Sequence, residues 1–188
     1  MNNDYRGIWV FAEQRTGELH EVSLELLGKA RELTEQGGGS VGAVLLGHHI
    51  GHLSKVLVHH GADFVLTADD AQLQFYRLLP YALVLENLIM EYRPAILLMG
   101  ATAMGVELAP RVAAMVRTGL SAHCIDLKLD PNGQLMQVVP GWGGGVIATI
   151  TCPERRPQMA TVMPGAMKAH PPAEREGKII EVPVHLPD

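Results

Sequence analysis

The residues with the clearest chemical potential are five histidines packed into one stretch: His48, His49, His52, His59 and His60. Imidazole is a zinc ligand, and histidines three or four apart on a helix share a face. His48 with His52, or His49 with His52, offers such a pair, with Asp63 nearby. No cysteine lies close, and no His-Glu-x-x-His signature occurs. The plain alternative is a solvated helix that uses histidine as its polar residue. A second candidate is Met99-Gly-Ala-Thr-Ala-Met-Gly105, where small residues precede a helical pattern. Free N–H groups at such a helix start receive anions, so Gly100 and Thr102 form a candidate phosphate site. An ordinary strand-to-helix turn would read the same way. The third is Pro140-Gly-Trp-Gly-Gly-Gly145. Gly141, Gly143 and Gly144 allow close backbone approach, and Trp142 offers a ring to a flat ligand or a partner. A tight connection between strands would look the same. Arg155 and Arg156 follow, with guanidinium groups suited to phosphate, carboxylate or an acidic partner surface. As isolated surface arginines they would have no role.

Other chemistries lack their residues. Glu13-Gln-Arg-Thr-Gly-Glu18 follows the first apolar run where a dinucleotide fingerprint would stand. Gly37-Gly38-Gly39 follows a helical pattern and has no lysine beside it, so it is no phosphate loop. Ser121 and His123 lie two apart with no third partner implied. Cys124 and Cys152 fall in apolar strand candidates, where cysteine acts as a small hydrophobe. No catalytic residue and no metal ligand set is assigned.

The chain that must position these groups has 188 residues, 47% of them hydrophobic. That is enough for one packed domain. The formal charge of −5 and the absence of a basic stripe argue against nucleic-acid binding. No apolar run approaches the roughly 18 residues of a membrane span. Met1 to Tyr5 is polar and has no signal-peptide core, and two cysteines do not staple a scaffold. A reducing, cytoplasmic location is expected.

Apolar runs at 7–12, 41–46, 62–67 and 95–99 read as buried strands. Between them, spacings of three and four predict helices over 22–36, 53–59, 74–92 and 105–116. Pro80 predicts a kink or a late start, and Pro110 is expected in the first turns of its helix. This alternation predicts an α/β fold: a three-layer, Rossmann-like, mostly parallel sheet with helices on both faces. Ligands of such sheets sit at the carboxyl ends of strands, here 12–15, 46–49 and 99–105. The remainder is β-rich, with short strands at 122–129, 134–139, 145–151 and 159–163. Asp130-Pro-Asn-Gly133 is a turn signal, so 122–139 is expected to be a hairpin. Residues 178–184 form a last strand, at a sheet edge or against a partner chain.

In order along nearly the whole chain, the sequence resembles the N-terminal domain of electron-transfer flavoprotein alpha subunits. The matching segments are Val10-Phe-Ala-Glu13, Ser23-Leu-Glu-Leu-Leu-Gly-Lys-Ala-Arg-Glu-Leu33 and Leu108-Ala-Pro-Arg-Val-Ala-Ala114. Thr118-Gly-Leu-Ser-Ala-His-Cys124, Ala148-Thr-Ile150, Arg156-Pro-Gln-Met-Ala-Thr161, Pro164-Gly165 and Lys178-Ile-Ile-Glu-Val182 continue the series. The resemblance implies a heterodimer with a beta subunit that passes electrons from acyl-CoA or other flavin dehydrogenases to an acceptor. It implies FAD held mainly by a further C-terminal domain, and AMP or a second FAD in the beta subunit. This chain alone would then not bind FAD tightly. Residues 1–165 would be a nucleotide-binding-like domain, and 166–188 a linker and strand leading to the absent FAD domain, in a truncated or split subunit. Val139 and Gly145 stand where the family often has a basic and a polar residue, and Met163 where arginine is common. These changes argue against anion contact there and leave the Trp142 loop to shape the beta-side nucleotide pocket. Two readings from the residues alone stand beside this one: a stand-alone adenine-nucleotide-binding domain using 100–105, and a zinc enzyme using His48 to His60.

Overall fold

A computed structural model describes residues 5–141 and 145–187. Its centre is β1 (Ile8–Ala12), whose five side chains are all buried. A strand covered on both faces needs this unbroken apolar run. β1 pairs in parallel with β4 (Val41–Gly47) on one side and β6 (Ile96–Gly100) on the other. Two short strands between β1 and β4, β2 (Gln14–Arg15) and β3 (Glu18–Leu19), form a small antiparallel ribbon. β5 (Phe64–Asp69) lies outside β4 and carries β12 (Lys178–Glu181) at the edge. On the far side β11 (Gln158–Val162) pairs with β6, and β7 (Leu120–Cys124) pairs with β11. The order β12-β5-β4-β1-β6-β11-β7 gives a seven-stranded sheet, parallel throughout.

Alternation along β1 divides the core. Ile8, Val10 and Ala12 face α1 (Glu21–Gly37) and α2 (Leu53–His59), packing among Leu26, Leu33 and Leu57. Trp9 and Phe11 face α3 (Leu78–Tyr92) and α4 (Ala103–Met115), among Leu85, Leu108 and Val112. The three-layer arrangement expected from the strand–helix alternation is therefore present. A separate antiparallel sheet of β8 (Asp126–Leu129), β9 (Leu135–Pro140) and β10 (Ile147–Ile150) supplies the β-rich portion.

Several boundaries differ from expectation for definite reasons. The hairpin is β8 with β9, not 122–139. His123 sits at φ 57° and its N–H donates to Thr161 Oγ1 at 3.0 Å, so the pairing of β7 with β11 shifts register there. Leu120–Cys124 then joins the parallel sheet instead. The turn itself is as read, with Asp130 Oδ1 accepting from Asn132 and Gln134 N–H, both at 2.8 Å. α3 starts at Leu78, which places Pro80 among first-turn residues whose N–H groups have no intrahelical acceptor. Pro110 lies inside α4 rather than in its first turns. It deprives the Val106 carbonyl of its helical donor, at a position where both residues are exposed. β5 runs to Asp69 because Asp69 still pairs with Gly47. β12 stops at Glu181, shortly before Pro183.

Between β11 and β12 the chain crosses the outside of α1 as a strap. The Gly165 N–H donates to the Glu25 carboxylate at 2.9 Å, and the Ala173 N–H donates to the His59 carbonyl at 3.0 Å. Arg175 Nη2 reaches Asp63 at 3.0 Å. Asp63 also receives Arg31 and, at 2.8 Å, the Val41 N–H. The contact with α1 is so close that a Cβ at Gly28 would lie 2.4 Å from the Lys168 carbonyl oxygen. Among the described residues no helix is long and apolar enough to cross a membrane.

Candidate functional site: the crevice between the first and sixth strands

The chain builds outward from β1 through β4 to β5, then returns to place β6 on the other side of β1. The connections diverge between β1 and β6, which is the topological switch point of the sheet. Glu13 follows β1 there, and Thr102 follows β6. Thr102 Oγ1 donates to Glu13 Oε2 at 2.6 Å and accepts from the Gly105 N–H at 3.0 Å. One hydroxyl thus caps α4 and ties the two strand ends together. The carboxylate also lies by the positive end of the α4 dipole. Gly105 is obligatory, since a Cβ would stand 1.8 Å from the Gly100 carbonyl oxygen. Gly100 is nearly as confined, with Val22 Cγ1 2.5 Å from such a Cβ. Gly100 and Thr102 therefore come together at the start of α4, with Glu13 already against them.

Above this pair is a cleft of about 640 Å³, with Phe75, Tyr76, Tyr81, Met104 and Glu107 among its lining residues. Tyr76 donates to Glu107 Oε2 at 2.8 Å and meets the Tyr81 ring edge-on at 5.1 Å. Burial, that acceptor, and the charges of Glu107 and Glu13 push the Tyr76 phenol well above its ordinary range. It remains a neutral donor at physiological pH.

The other candidates lie elsewhere. The Gly141 N–H donates to the Val146 carbonyl at 2.6 Å, at the connection from β9 to β10. Trp142, Gly143 and Gly144 fall outside the described residues. Arg156 Nη1 donates to the carbonyls of Cys152 at 3.0 Å and Arg155 at 2.8 Å, so it braces its own loop. Arg155 is exposed. Beside this region the small sheet presents bare apolar side chains: Val146 is 64% exposed and Ile147 67%.

The histidines do not converge. His52 Nε2 lies 3.2 Å from the Gly17 carbonyl, and His60 Nδ1 2.8 Å from the Val56 carbonyl. His48 stacks on His49 at 3.7 Å and has Nδ1 3.5 Å from Asp69 Oδ1. Asp63 is engaged by arginines. Among the described residues no three His, Cys, Asp or Glu side chains are arranged to hold a metal ion, so the zinc-enzyme reading lacks its ligand set. Asp69 instead fixes the turn after β4, accepting from the N–H of His49 at 2.7 Å and of Ile50 at 2.9 Å. Burial opposes its ionisation, but the N–H groups of His49, Ile50 and Gly51 and the nearby His48 hold it below the usual carboxylate range.

Tyr76 and Glu107 escaped the sequence reading. They belong to separate segments, and no local motif joins them. The Glu13 and Thr102 segments both read as strand ends, but their contact spans 89 positions.

These features define a three-layer, Rossmann-like α/β fold whose switch point holds an internal carboxylate. The family profile described as "Electron transfer flavoprotein domain" matches residues 8–187. The chain belongs to the electron transfer flavoprotein family, and its relatives place it with the alpha subunits. It is 49% identical over 180 residues to the electron transfer flavoprotein subunit alpha of Thermoanaerobacterium thermosaccharolyticum, covering 95% of this chain and 54% of that protein. The subunit alpha of Clostridium acetobutylicum is 51% identical over 169 residues, covering 89% and 50%. That of Megasphaera elsdenii is 42% identical over 189 residues, covering 98% and 55%. The chain spans about half the length of the curated relatives it matches.

Proposed function

We propose that this chain is the N-terminal scaffold domain of an electron transfer flavoprotein alpha subunit. In the whole protein it pairs with a beta subunit in the cytoplasm and supports FAD-mediated electron transfer between flavin dehydrogenases and an acceptor. The flavin carries the electrons, and the protein around it sets its potential. In this reading residues 1–165 form the base domain, and 166–188 lead toward the domain that holds FAD. The beta subunit carries AMP or a second FAD.

The switch-point crevice does not fit the anionic part of a nucleotide. Glu13 occupies the start of α4 and Glu107 stands across the cleft, so a phosphate there would face two carboxylates. This supports a scaffold over a stand-alone adenine-nucleotide-binding domain built on Gly100 and Thr102. Micromolar binding of ATP or AMP by the isolated chain would reverse that preference.

The observation that carries the proposal is the uncovered edge strand β10. Val146 leads into this edge strand of the small sheet, and Val146, Ile147 and Ile150 (42% exposed) leave large apolar side chains uncovered along it, a feature of association surfaces. This reading assigns Gly141, Trp142, Gly143 and Gly144, with Arg155 and Arg156, to the beta subunit or its nucleotide. Co-expression with the beta subunit of the same organism tests it. A stable complex is expected, and Ile147→Asp should abolish co-purification while leaving the chain folded. No complex with a longer chain that includes the FAD domain would refute the pairing.

A further inference from the structure

The cleft at the switch point contains a charge imbalance. Glu13 is only 7% exposed, yet among the described residues it makes no ion pair. One of its carboxylate oxygens is held by Thr102, and no described residue hydrogen-bonds the other. Glu107 is likewise bound only through Oε2, to Tyr76. Arg15 is exposed at the rim and pairs with neither. The Thr102 hydroxyl and the start of α4 offset part of the Glu13 charge, and among the described residues no cationic side chain offsets the rest. The walls between the two carboxylates are aromatic: Tyr76 inside, and Phe75, 72% exposed, at the mouth.

We propose that this cleft is a docking pocket for an arginine side chain of a partner polypeptide. A guanidinium satisfies each feature together. It is planar and stacks on Phe75 or Tyr76, and it carries enough N–H donors for the free oxygens of both Glu13 and Glu107. An ammonium meets the charge but not the flat walls. The occupant is a side chain on a protein surface because the cleft opens to solvent past the exposed ring of Phe75 rather than closing into a cavity. The cleft lies at the strand ends of the seven-stranded sheet and β10 in the separate three-stranded one, so the inference stands independently of the subunit pairing proposed above.

Titration of the isotopically labelled 188-residue chain with the blocked tripeptide acetyl-Gly-Arg-Gly-amide, followed by NMR, tests this. Saturable shifts are expected at Phe75, Tyr76, Met104 and Glu107. The peptide with citrulline in place of arginine, which is isosteric and uncharged, should give none. Glu107→Gln should weaken binding about tenfold, the loss expected for one charged hydrogen bond. Phe75→Ala, at a largely exposed position, should weaken it as well while leaving thermal unfolding near the parent's. Absence of saturable shifts, equal binding of the citrulline peptide, or unchanged affinity in both variants would overturn the proposal.

Discussion

Thr102 and Glu13, 89 positions apart, share a 2.6 Å hydrogen bond that joins the carboxyl ends of β6 and β1. The same hydroxyl caps α4 through the Gly105 N–H. An internal carboxylate thus takes the place at the helix start that a phosphate takes in nucleotide-binding relatives of this fold.

Loss of this hydroxyl should be felt in stability. Thr102→Ala removes the cap and the Glu13 bond together, and should cost about 1–2 kcal/mol in urea unfolding. Thr102→Ser should recover most of it. Equal stability of all three proteins would show that the bond contributes nothing.

Gly105 has less tolerance still. A methyl group would collide with the Gly100 backbone, which cannot swing aside. Gly105→Ala should cost about 3 kcal/mol through displacement of α4. Gly51, where a Cβ meets nothing within 4 Å, is the control and should tolerate alanine with little change. Thermal unfolding of the two variants separates them.

Asp69 gives a pH dependence of definite sign. Its folded pKa lies below the unfolded value of about 3.9. Its stabilisation is therefore complete above that value and disappears as pH falls through the folded pKa. Asp69→Asn should be less stable than the parent near neutral pH, and the gap should close below about pH 4. A gap that stays constant with pH would mean that the carboxylate charge plays no part in holding the His49–Ile50 turn.

The strap should loosen when its contact with α1 is forced apart. Gly28→Ala pushes against the Lys168 carbonyl and should cost about 1–3 kcal/mol. Hydrogen exchange should rise at residues 165–175 before it rises in β1. Arg175→Ala, which removes a half-exposed ion pair with Asp63, should cost under about 1 kcal/mol.

The two cysteines should differ in reactivity. Burial pushes the Cys124 thiol up to about 11, so little thiolate exists at mild alkaline pH. Cys152 is half-buried. A thiol reagent should label Cys152 in the folded chain and both after denaturation. Labelling of Cys124 at the same rate would place it outside the core.

The sequence by itself determined the layers. Unbroken apolar runs such as Ile8–Ala12 must be covered on both sides, and helical spacing supplied the covering elements, so the parallel sheet followed from local pattern. It also determined the family, through short motifs kept in order along the chain. Only the tertiary structure decided what the strand ends do. Nothing local reveals that Glu13 meets Thr102, that Tyr76 meets Glu107, or that β11 enters the sheet between β6 and β7. The same holds for the histidines, whose spacing permitted a shared helix face while α2 starts only at Leu53, after His48, His49 and His52. Pattern along a chain records which faces are apolar, because burial acts on each segment separately. Polar partners are chosen by where folding brings distant segments together, and only the packed molecule contains that information.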